Sequence, residues 1–363
     1  MMSINKIFKY LASLACLVTL MSCSDSEDHV SDNGYVRVVF QIYMPSSTVV
    51  TRASVDPASR TGDSAADSLD DWEYAIDKNR LHVVFYNKDG RAIGGVEQLV
   101  LLPTQKENEY KVTGSIKLDK LQMSNGGFTG KVMVFANIDG VDELSDFSEE
   151  YLNRLTFSYQ NTIPHFIPMW GVKQLDNIPF VAGLQYDIKT INLLRAEAKI
   201  NVTLRPDMVE QGYRLTQVNL LGHQKQGYCL PPFGSIANLE DANQLPNAKM
   251  GHFHEASPSM EPIDLLQGDA YVPEYRNSGE GVTGSAGTSP AVIRLRLRDR
   301  FGKESDYQLR FVKYANGAPT TKAVDILRNH YYQFQLYKGD NDILHVNLNV
   351  RKWYYTEHDH IIM

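Results

Sequence analysis

The sequence predicts a mainly β protein with few short helices, built from two β-sandwich domains. Short segments of alternating polar and apolar residues recur along the chain, and turn-forming Gly, Pro and Asn separate them. The 20 tyrosines and 14 phenylalanines are residue types that pack well on a pleated surface. A chain of 363 residues is long for one sandwich, so two are expected.

The chain begins with the three parts of an export signal. Two lysines precede an apolar stretch from Leu11 to Met21, which ends at Ser22 and Cys23. At about eleven residues this stretch is too short to span a bilayer. We therefore interpret residues 1–22 as a lipoprotein signal peptide, Cys23 as the lipid attachment site and residues 23–34 as a tether. An ordinary secretory signal with an incidental cysteine is the alternative.

Acidic residues follow Cys23 directly, at Asp25, Glu27 and Asp28. They resemble the surface-export signal of lipoproteins in Bacteroidetes-type bacteria, although a polar tether would look much the same. Two acyl chains on Cys23 would anchor the protein stably, because two chains hold a protein at a membrane where one does not. The expected location is the exposed surface of the outer membrane.

Charge and cysteine content exclude several classes of protein. The net charge is −7 and there is no basic block, so nucleic acid is not an expected partner. Of the three cysteines, Cys16 leaves with the signal peptide, Cys23 is lipidated and Cys229 stands alone. A disulfide framework is therefore excluded, and stability must come from packed cores.

The first strand is predicted at Tyr35–Tyr43 and is stopped by Pro45. We assign Tyr35, Val36, Val38, Phe40 and Ile42 to this strand, and these residues would leave together if the strand were removed. The polar stretch 46–78 predicts a loop with a short helix near 69–75.

The remaining elements follow in chain order. Strands are predicted at 81–86 and 110–118, and the apolar run 130–137 predicts a strand that is buried on both faces. A helix is predicted at 142–155. Further strands are predicted at 193–204, 213–221, 292–298, 307–313, 330–337 and 343–350. The boundary between an N-terminal domain, 35–194, and a C-terminal domain, 195–363, is placed near 192–199.

Several segments occur in an order that identifies a family. They are RLHVVFYNKDG (80–90), KVMVFANIDG (131–140), IPMWG (167–171), LLRAEAKINVTL (193–204), YVPEY (271–275), DILRNHYYQFQL (325–336) and VNLNVRKW (346–353). With these segments behind a lipobox, the chain resembles a Bacteroidales fimbrillin, the lipoprotein-derived subunit of type V pili. The resemblance implies two tandem transthyretin-like Greek-key β-sandwiches and polymerisation outside the cell. It also implies that an Arg-specific protease cuts after an arginine, that the first strand leaves with the lipid anchor, and that a C-terminal strand of the next subunit fills the groove.

The family motif falls on Arg52 and Ala53, within the polar segment after the first strand. An arginine followed by a small residue in such a segment is accessible to a protease. Arg60 and Arg80 are alternatives, and Arg80 is the poorer one because it leads directly into a strand. An ordinary solvated loop arginine is the competing interpretation of Arg52.

The donor strand would come from the other end of the chain, at 343–363. One face of 343–350 carries Leu344, Val346, Leu348 and Val350, and Trp353 supplies a large anchor. The alternative is that this segment is the last strand of its own C-terminal domain, and the sequence leaves both open.

Enzymatic and metal-binding functions have little support. The pairs His252/His254 and His358/His360 lack the further ligands that complete a metal site. No nucleophile motif stands on a strand, turn and helix pattern. We therefore expect no enzyme, no metal and no cofactor, but a structural subunit of an adhesive fimbria.

The expected partners of this subunit are other fimbrial subunits, an Arg-specific protease, the outer membrane through the lipid, and an unidentified host or bacterial surface ligand. The alternative is a non-polymerising surface lipoprotein that acts as a pilus anchor, a tip adhesin or a glycan- or protein-binding module.

Overall fold

The computed structural model describes residues 34–44, 71–106, 108–124, 126–254, 256–277, 290–339 and 343–353. The strands within these ranges are β1 Tyr35–Tyr43, β2 Leu81–Asn87, β3 Ala92–Gly95, β4 Glu97–Pro103, β5 Glu109–Lys117, β6 Phe128–Ala136, β7 Thr156–Ser158, β8 Met169–Ile178, β9 Gln185–Arg195, β10 Ala198–Leu204, β11 Arg214–Leu221, β12 Gln226–Tyr228, β13 Ile263–Asp264, β14 Ala270–Val272, β15 Val292–Arg298, β16 Glu304–Arg310, β17 Val312–Ala315, β18 Ala318–Ala323, β19 His330–Lys338 and β20 Leu344–Lys352.

Helical segments are short. The α-helices are α1 Glu149–Arg154, α2 Pro206–Glu210 and α3 Phe233–Ile236, and 3₁₀ turns lie at Asp71–Tyr74, Lys78–Arg80, Leu118–Lys120, Ala242–Gln244 and Asn247–Lys249. The mainly β class with few short helices is confirmed. In the part of the chain that the structure describes, no helix has the length and apolar character needed to cross a bilayer.

The first sheet has eight strands in the order β3-β2-β6-β8-β9-β1-β5-β4. Its two halves, β3-β2-β6-β8 and β9-β1-β5-β4, contribute to one hydrophobic cluster, which we call the first core. Val83 of β2, Val134 of β6, Phe40 of β1 and Val112 of β5 all belong to it. Because both halves bury side chains in the same core, the sheet curves around it.

Two four-stranded sheets form the second half of the molecule, in the orders β14-β10-β19-β20 and β13-β11-β15-β16. Their inward side chains form one cluster, the second core, to which Val202, Phe334, Leu220 and Leu295 belong. Two sheets that share one core have the arrangement of a β-sandwich. The transthyretin-like topology and the division into domains at 194/195 stay predictions.

A third cluster covers the outer face of the first sheet. Met133 and Phe135 of β6 belong to it, whereas Val132 and Val134 of the same strand point into the first core. The covering side chains come from α1 and from the segment 229–250. The prediction of a strand buried on both faces at 130–137 is therefore confirmed, and the double burial explains why the run is continuously apolar.

Three predicted elements differ in the structure. The strand expected over 307–313 is divided at Phe311, because β16 ends at Arg310 and β17 begins at Val312 in a different sheet. The strand expected over 193–204 is two strands, because β9 ends at Arg195 and β10 begins at Ala198 in a different sheet. The helix expected over 142–155 is only α1. The Asp142 carboxylate accepts hydrogen bonds from the Leu144 amide at 3.0 Å and the Ser145 hydroxyl at 2.6 Å, which stabilises a turn. The Ser148 hydroxyl then caps α1 by accepting from the Tyr151 amide at 3.2 Å.

Four of the predicted features lie outside the described residues. They are the signal peptide 1–22, the lipid site Cys23, the Arg52–Ala53 bond and the residues that follow Trp353. Most of the polar stretch 46–78 lies outside them as well. Its described end contains the 3₁₀ turn Asp71–Tyr74, within the range expected for a short helix.

Candidate functional site

The first strand lies in the interior of the eight-stranded sheet. β1 pairs antiparallel with β5 along its whole length, from Tyr35 opposite Lys117 to Tyr43 opposite Glu109. On its other side it pairs parallel with β9, with an irregularity between Val39 and Gln41. Both edges of β1 are thus hydrogen-bonded, so its removal would open a groove between β5 and β9.

The inward face of β1 is deeply buried. Four of its side chains are at most 1% exposed: Val36, Val38, Phe40 and Ile42. Burying four apolar side chains of this size contributes about 6–12 kcal/mol. Since a whole domain is stable by only about 5–15 kcal/mol, the groove would not stay folded and empty.

The polar contacts of β1 are fewer and more exposed. The Tyr35 hydroxyl donates to Glu97 at 3.1 Å, and the Thr190 hydroxyl donates to the Gln41 side chain at 3.2 Å. At the end of the strand, the Asn108 amide donates to the Met44 carbonyl at 2.7 Å. Exposed contacts of this kind contribute little, so the apolar face and the backbone ladder hold the strand.

The predicted donor strand lies at the edge of its own sheet. β20 pairs antiparallel with β19, from Leu344 opposite Lys338 to Lys352 opposite His330. Its other edge ends the sheet, although the Val346 amide donates to the Gly317 carbonyl at 3.0 Å. The apolar face of β20 is packed on the second core, with Val346 buried and Leu344, Leu348 and Val350 partly buried.

Trp353 follows β20 and packs in the other core. It is 4% exposed and belongs to the first core, whereas the strand before it packs on the second. The indole lies 5.4 Å from the Tyr271 ring between centroids, and the Arg195 guanidinium lies 4.9 Å above it. The end of the described chain is therefore fixed at the junction of the two cores.

A buried group of charges lies beside Trp353, and we call it the junction cluster: Glu73, Arg195, Lys199, Asp269 and Tyr271. The Lys199 ammonium is 2.7 Å from a Glu73 oxygen and 3.1 Å from an Asp269 oxygen. The Arg195 Nε donates to the Glu73 backbone carbonyl at 3.1 Å, and the Tyr271 hydroxyl donates to the Glu73 carboxylate. The segment that follows residues 45–70 is thus bound to strands of both halves.

Burial and charge act in opposite directions in this cluster. Burial disfavours the charged form of Lys199, but the Glu73 and Asp269 carboxylates outweigh it and raise the pKa of Lys199 above its usual range. For Arg195 burial prevails and lowers the pKa to about 10. Both side chains are charged at neutral pH. An ion pair buried in this way fixes geometry more than it adds stability.

Sequence reasoning did not find the junction cluster. Glu73 and Lys199 are 126 residues apart, and no motif joins them. The one sequence feature that could have pointed to the cluster is Glu73, a carboxylate between the large aromatic residues Trp72 and Tyr74 in a short predicted helix. Such a residue is commonly buried with a partner, but the sequence does not say which one.

His165 is buried against Glu197. Its Nε2 lies 3.0 Å from a Glu197 oxygen, and its Nδ1 lies 3.0 Å from the Thr162 carbonyl. Burial lowers the pKa of His165, but the Glu197 hydrogen bond and charge outweigh it, so the pKa is raised. The imidazole also packs 5.1 Å from the Trp72 ring, between centroids. This pair therefore fixes the loop before β8 to the bend between β9 and β10.

Arg80, an alternative cleavage residue, lies in a folded turn. Its Nε is 3.2 Å from Asp77, its guanidinium is 3.5 Å from Asp139, and β2 begins at the next residue. A protease needs an extended, accessible chain. The geometry at Arg80 agrees with its lower rank as a cleavage residue.

The first residue of the described His pair is held by other contacts. His252 stacks on Tyr228 with 3.8 Å between centroids, and its Nδ1 lies 2.9 Å from the Leu230 carbonyl. Among the described residues, no group of three or more His, Cys, Asp or Glu side chains is arranged to hold a metal ion. Cys229 is buried, and this burial raises the pKa of its thiol to about 12.

No protein-family model matches the chain. No curated protein matches it either. Solved structures that it resembles include a candidate cell adhesion protein from Parabacteroides distasonis ATCC 8503, with 12% identity, a TM-score of 0.48, and coverage of 88% of this chain and 99% of that one. A fimbrilin from Porphyromonas gingivalis W83 has 14% identity and a TM-score of 0.47, with coverage of 88% and 98%. A candidate cell adhesion protein from Bacteroides eggerthii DSM 20697 has 14% identity, a TM-score of 0.42, and coverage of 87% and 96%.

Proposed function

We propose that the protein is a surface lipoprotein that becomes a structural subunit of an adhesive fimbria by protease-triggered strand exchange. In this proposal residues 1–22 direct export, acylated Cys23 anchors the chain in the outer membrane, and an Arg-specific protease cuts between Arg52 and Ala53. β1 then leaves with the anchor, and a strand from another subunit takes its place.

The position of β1 carries the proposal. An interior strand that is paired on both sides and buries four apolar side chains leaves a shaped groove when it departs. Such a groove offers two rows of unpaired backbone groups and a strip of core, and it accepts a strand with the right alternation. β1 is also the first described strand, so one cut in residues 45–70 would separate it along the chain from every described element that follows.

The proposed donor matches β1 in length and pattern. Both β1 and β20 have nine residues. In each, four apolar side chains alternate on one face: Val36, Val38, Phe40 and Ile42 in β1, and Leu344, Val346, Leu348 and Val350 in β20. β20 has only one partner strand among the described residues, so its release breaks one ladder.

The decisive experiment is limited proteolysis of the chain that lacks residues 1–23. We expect a trypsin-like protease at low dose to produce a new N-terminus at Ala53, followed by SDS-resistant ladders on gels. Samples from one time course are used both to sequence the new N-terminus and to determine the assembly state on gels.

The Arg52→Ala variant should lose both the cut and the ladders. Arg60→Ala is the matched control, since it removes another arginine from the same polar segment and should leave both unchanged. Ladders that persist in the Arg52→Ala variant would overturn the assignment of the cleavage site. A chain that is cut at Arg52 but stays monomeric would overturn strand exchange.

The second candidate function is a tethered binding module or pilus anchor that keeps β1. The same burial of β1 favours it, because a permanent strand would be held in the same way. Resistance of Arg52 to the protease, with a monomeric product, would support this function instead.

A further inference from the structure

The outer face of the sheet β13-β11-β15-β16 carries a row of arginines. Along β15, Ile293, Leu295 and Leu297 point into the second core. The alternate residues Arg294, Arg296 and Arg298 therefore point away from it, on the face opposite the core. β15 lies between β11 and β16, so the row runs along the middle of the face and not along a sheet edge.

Amide side chains flank the Arg294 end of this row, whereas Arg298 at the other end lies opposite Arg214 of β11 and Glu304 of β16. Arg294 lies opposite Asn219 of β11 and opposite Gln308 of β16, and Arg296 lies opposite Gln217. These five residues line an open depression of about 580 Å³ together with the Asp306 carboxylate, and Arg298 continues the row beyond it. We call this surface the arginine face: Gln217, Asn219, Arg294, Arg296, Arg298 and Gln308.

The positive charge of the arginine face is only partly neutralised. Arg296 is held by Asp306 of β16 at 2.7 Å, with Glu304 at 3.8 Å. Arg294 and Arg298 are exposed, and no carboxylate among the described residues forms an ion pair with either. The whole chain has a net charge of −7, so this surface differs in sign from the molecule around it.

We propose that the arginine face binds a linear polysaccharide that carries carboxylate or sulfate groups. A guanidinium binds such a group with two parallel hydrogen bonds. Side-chain amides donate to and accept from hydroxyl groups, which are the other polar groups of a sugar. From Arg294 to Arg298 the row extends about 13 Å along the strand, which is long enough to contact more than one charged sugar.

The shape of the site favours a polysaccharide over an acidic protein segment. A protein strand binds most readily at a sheet edge, where it finds unpaired backbone groups. The arginine face offers side chains only, because both edges of β15 are paired with β11 and β16. A polysaccharide, by contrast, binds through its hydroxyl and anionic groups, and side chains alone can be the partners of these groups.

This inference names a ligand class for the adhesive surface protein proposed above and rests on that proposal for its biological setting. The binding test uses the uncut chain that lacks residues 1–23, and it needs neither cleavage nor assembly. Its result is therefore separate from the outcome at Arg52.

The test measures binding of two fluorescent probes by anisotropy, a heparin-derived oligosaccharide and an oligogalacturonate, at about 0.15 M salt. The first carries sulfate groups as well as carboxylates, the second carries carboxylates alone, and neutral dextran serves as the uncharged probe. We expect at least one anionic probe to bind, dextran not to bind, and Arg294→Gln/Arg298→Gln to weaken binding at least about tenfold. Arg294→Lys/Arg298→Lys should give an intermediate affinity, since it keeps the charge and loses the paired hydrogen bonds.

The matched control is Arg91→Gln/Arg154→Gln, which removes the same charge from two exposed arginines outside this sheet. It should bind like the parent chain. The proposal is wrong if neither anionic probe binds, or if both double variants lose affinity equally. It is also wrong if a poly-glutamate peptide binds the arginine face as tightly as the sugars do. Thermal unfolding of each variant shows that the fold is retained, which is expected because all four arginines are exposed.

Discussion

His165 needs a proton on both ring nitrogens to satisfy its two partners. The Thr162 carbonyl and the Glu197 carboxylate are both hydrogen-bond acceptors, so Nδ1 and Nε2 must both donate. In its doubly protonated form, His165 makes a buried ion pair with the Glu197 carboxylate. Its protonation is favoured by folding, as the raised pKa of His165 indicates.

From the protonation of His165 we predict that the free energy of unfolding depends on pH. The folded pKa of His165 is raised, so its contribution is fully present below the unfolded value of about 6.5 and is lost as the pH rises through the folded value. We expect urea unfolding between about pH 5.5 and 8.5 to show this loss in the parent chain. His165→Gln should lack that part of the pH profile. Identical profiles for the two proteins would contradict the assignment.

At the residue scale, the sequence was informative where a pattern repeats. Alternation placed Val36, Val38, Phe40 and Ile42 on one face, and all four are buried together. The junction cluster could not be found in this way, because its members come from separate segments and each occurs once. A buried charge has no local signature, since its partner is chosen by tertiary packing.

At the element scale, β1 and β20 present the same alternation in different settings. β1 has partners on both sides, whereas β20 has one strand partner among the strands that the structure describes. Detaching β1 from a cut chain breaks two ladders and exposes the first core. Side chains on its inward face should therefore control both the stability of the chain and the rate of exchange.

Phe40→Ala should lower the free energy of unfolding by about 3–5 kcal/mol, because it removes a fully buried aromatic side chain. Chemical denaturation measures this loss. After cleavage at Arg52 the same variant should form ladders faster than the parent chain, since β1 leaves more readily. Gln41→Ala, on the exposed face of the same strand, should change stability by less than about 0.5 kcal/mol. Slower ladder formation in Phe40→Ala would contradict the role of β1.

Elements with strict alternation were predicted closely, as β1, β15 and β19 show. The break between β9 and β10 was missed because the apolar pattern continues through it. The change of sheet is imposed there by tertiary contacts, such as the Ala196 amide to the Pro168 carbonyl at 2.8 Å. β4 was also missed. It is an edge strand in which Leu99 and Leu101 pack on the first core while Val100 and Leu102, also apolar, are each 47% exposed, so the sequence shows no alternation of polar and apolar residues.

At the scale of the whole molecule, Trp353 joins the two cores. Its strand packs on the second core, and its side chain packs in the first beside Tyr271. Movement of β20 away from its sheet would withdraw this side chain. Together with the junction cluster, Trp353 should therefore couple the stability of the two halves.

Trp353→Ala should lower stability by about 3–5 kcal/mol and separate the unfolding of the two cores. Differential scanning calorimetry should show one transition for the parent chain and two for the variant. Leu348→Ala is the control, because it contacts the second core only. It should lower stability while a single transition remains. A single transition in Trp353→Ala would show that other contacts couple the cores.

The connection between β1 and Asp71 sets the effective concentration of β1 at its groove. While residues 45–70 are intact, β1 is held near its groove at an effective concentration of the order of millimolar or more, so each departure is followed by rapid return. A cut within this connection leaves the described pairing of β1 with β5 and β9 in place, yet it turns the return of β1 into a bimolecular event. The local concentration of donor strands would then decide which strand occupies the groove. In this way a single hydrolysed bond would convert a closed monomer into a receptor for its neighbour.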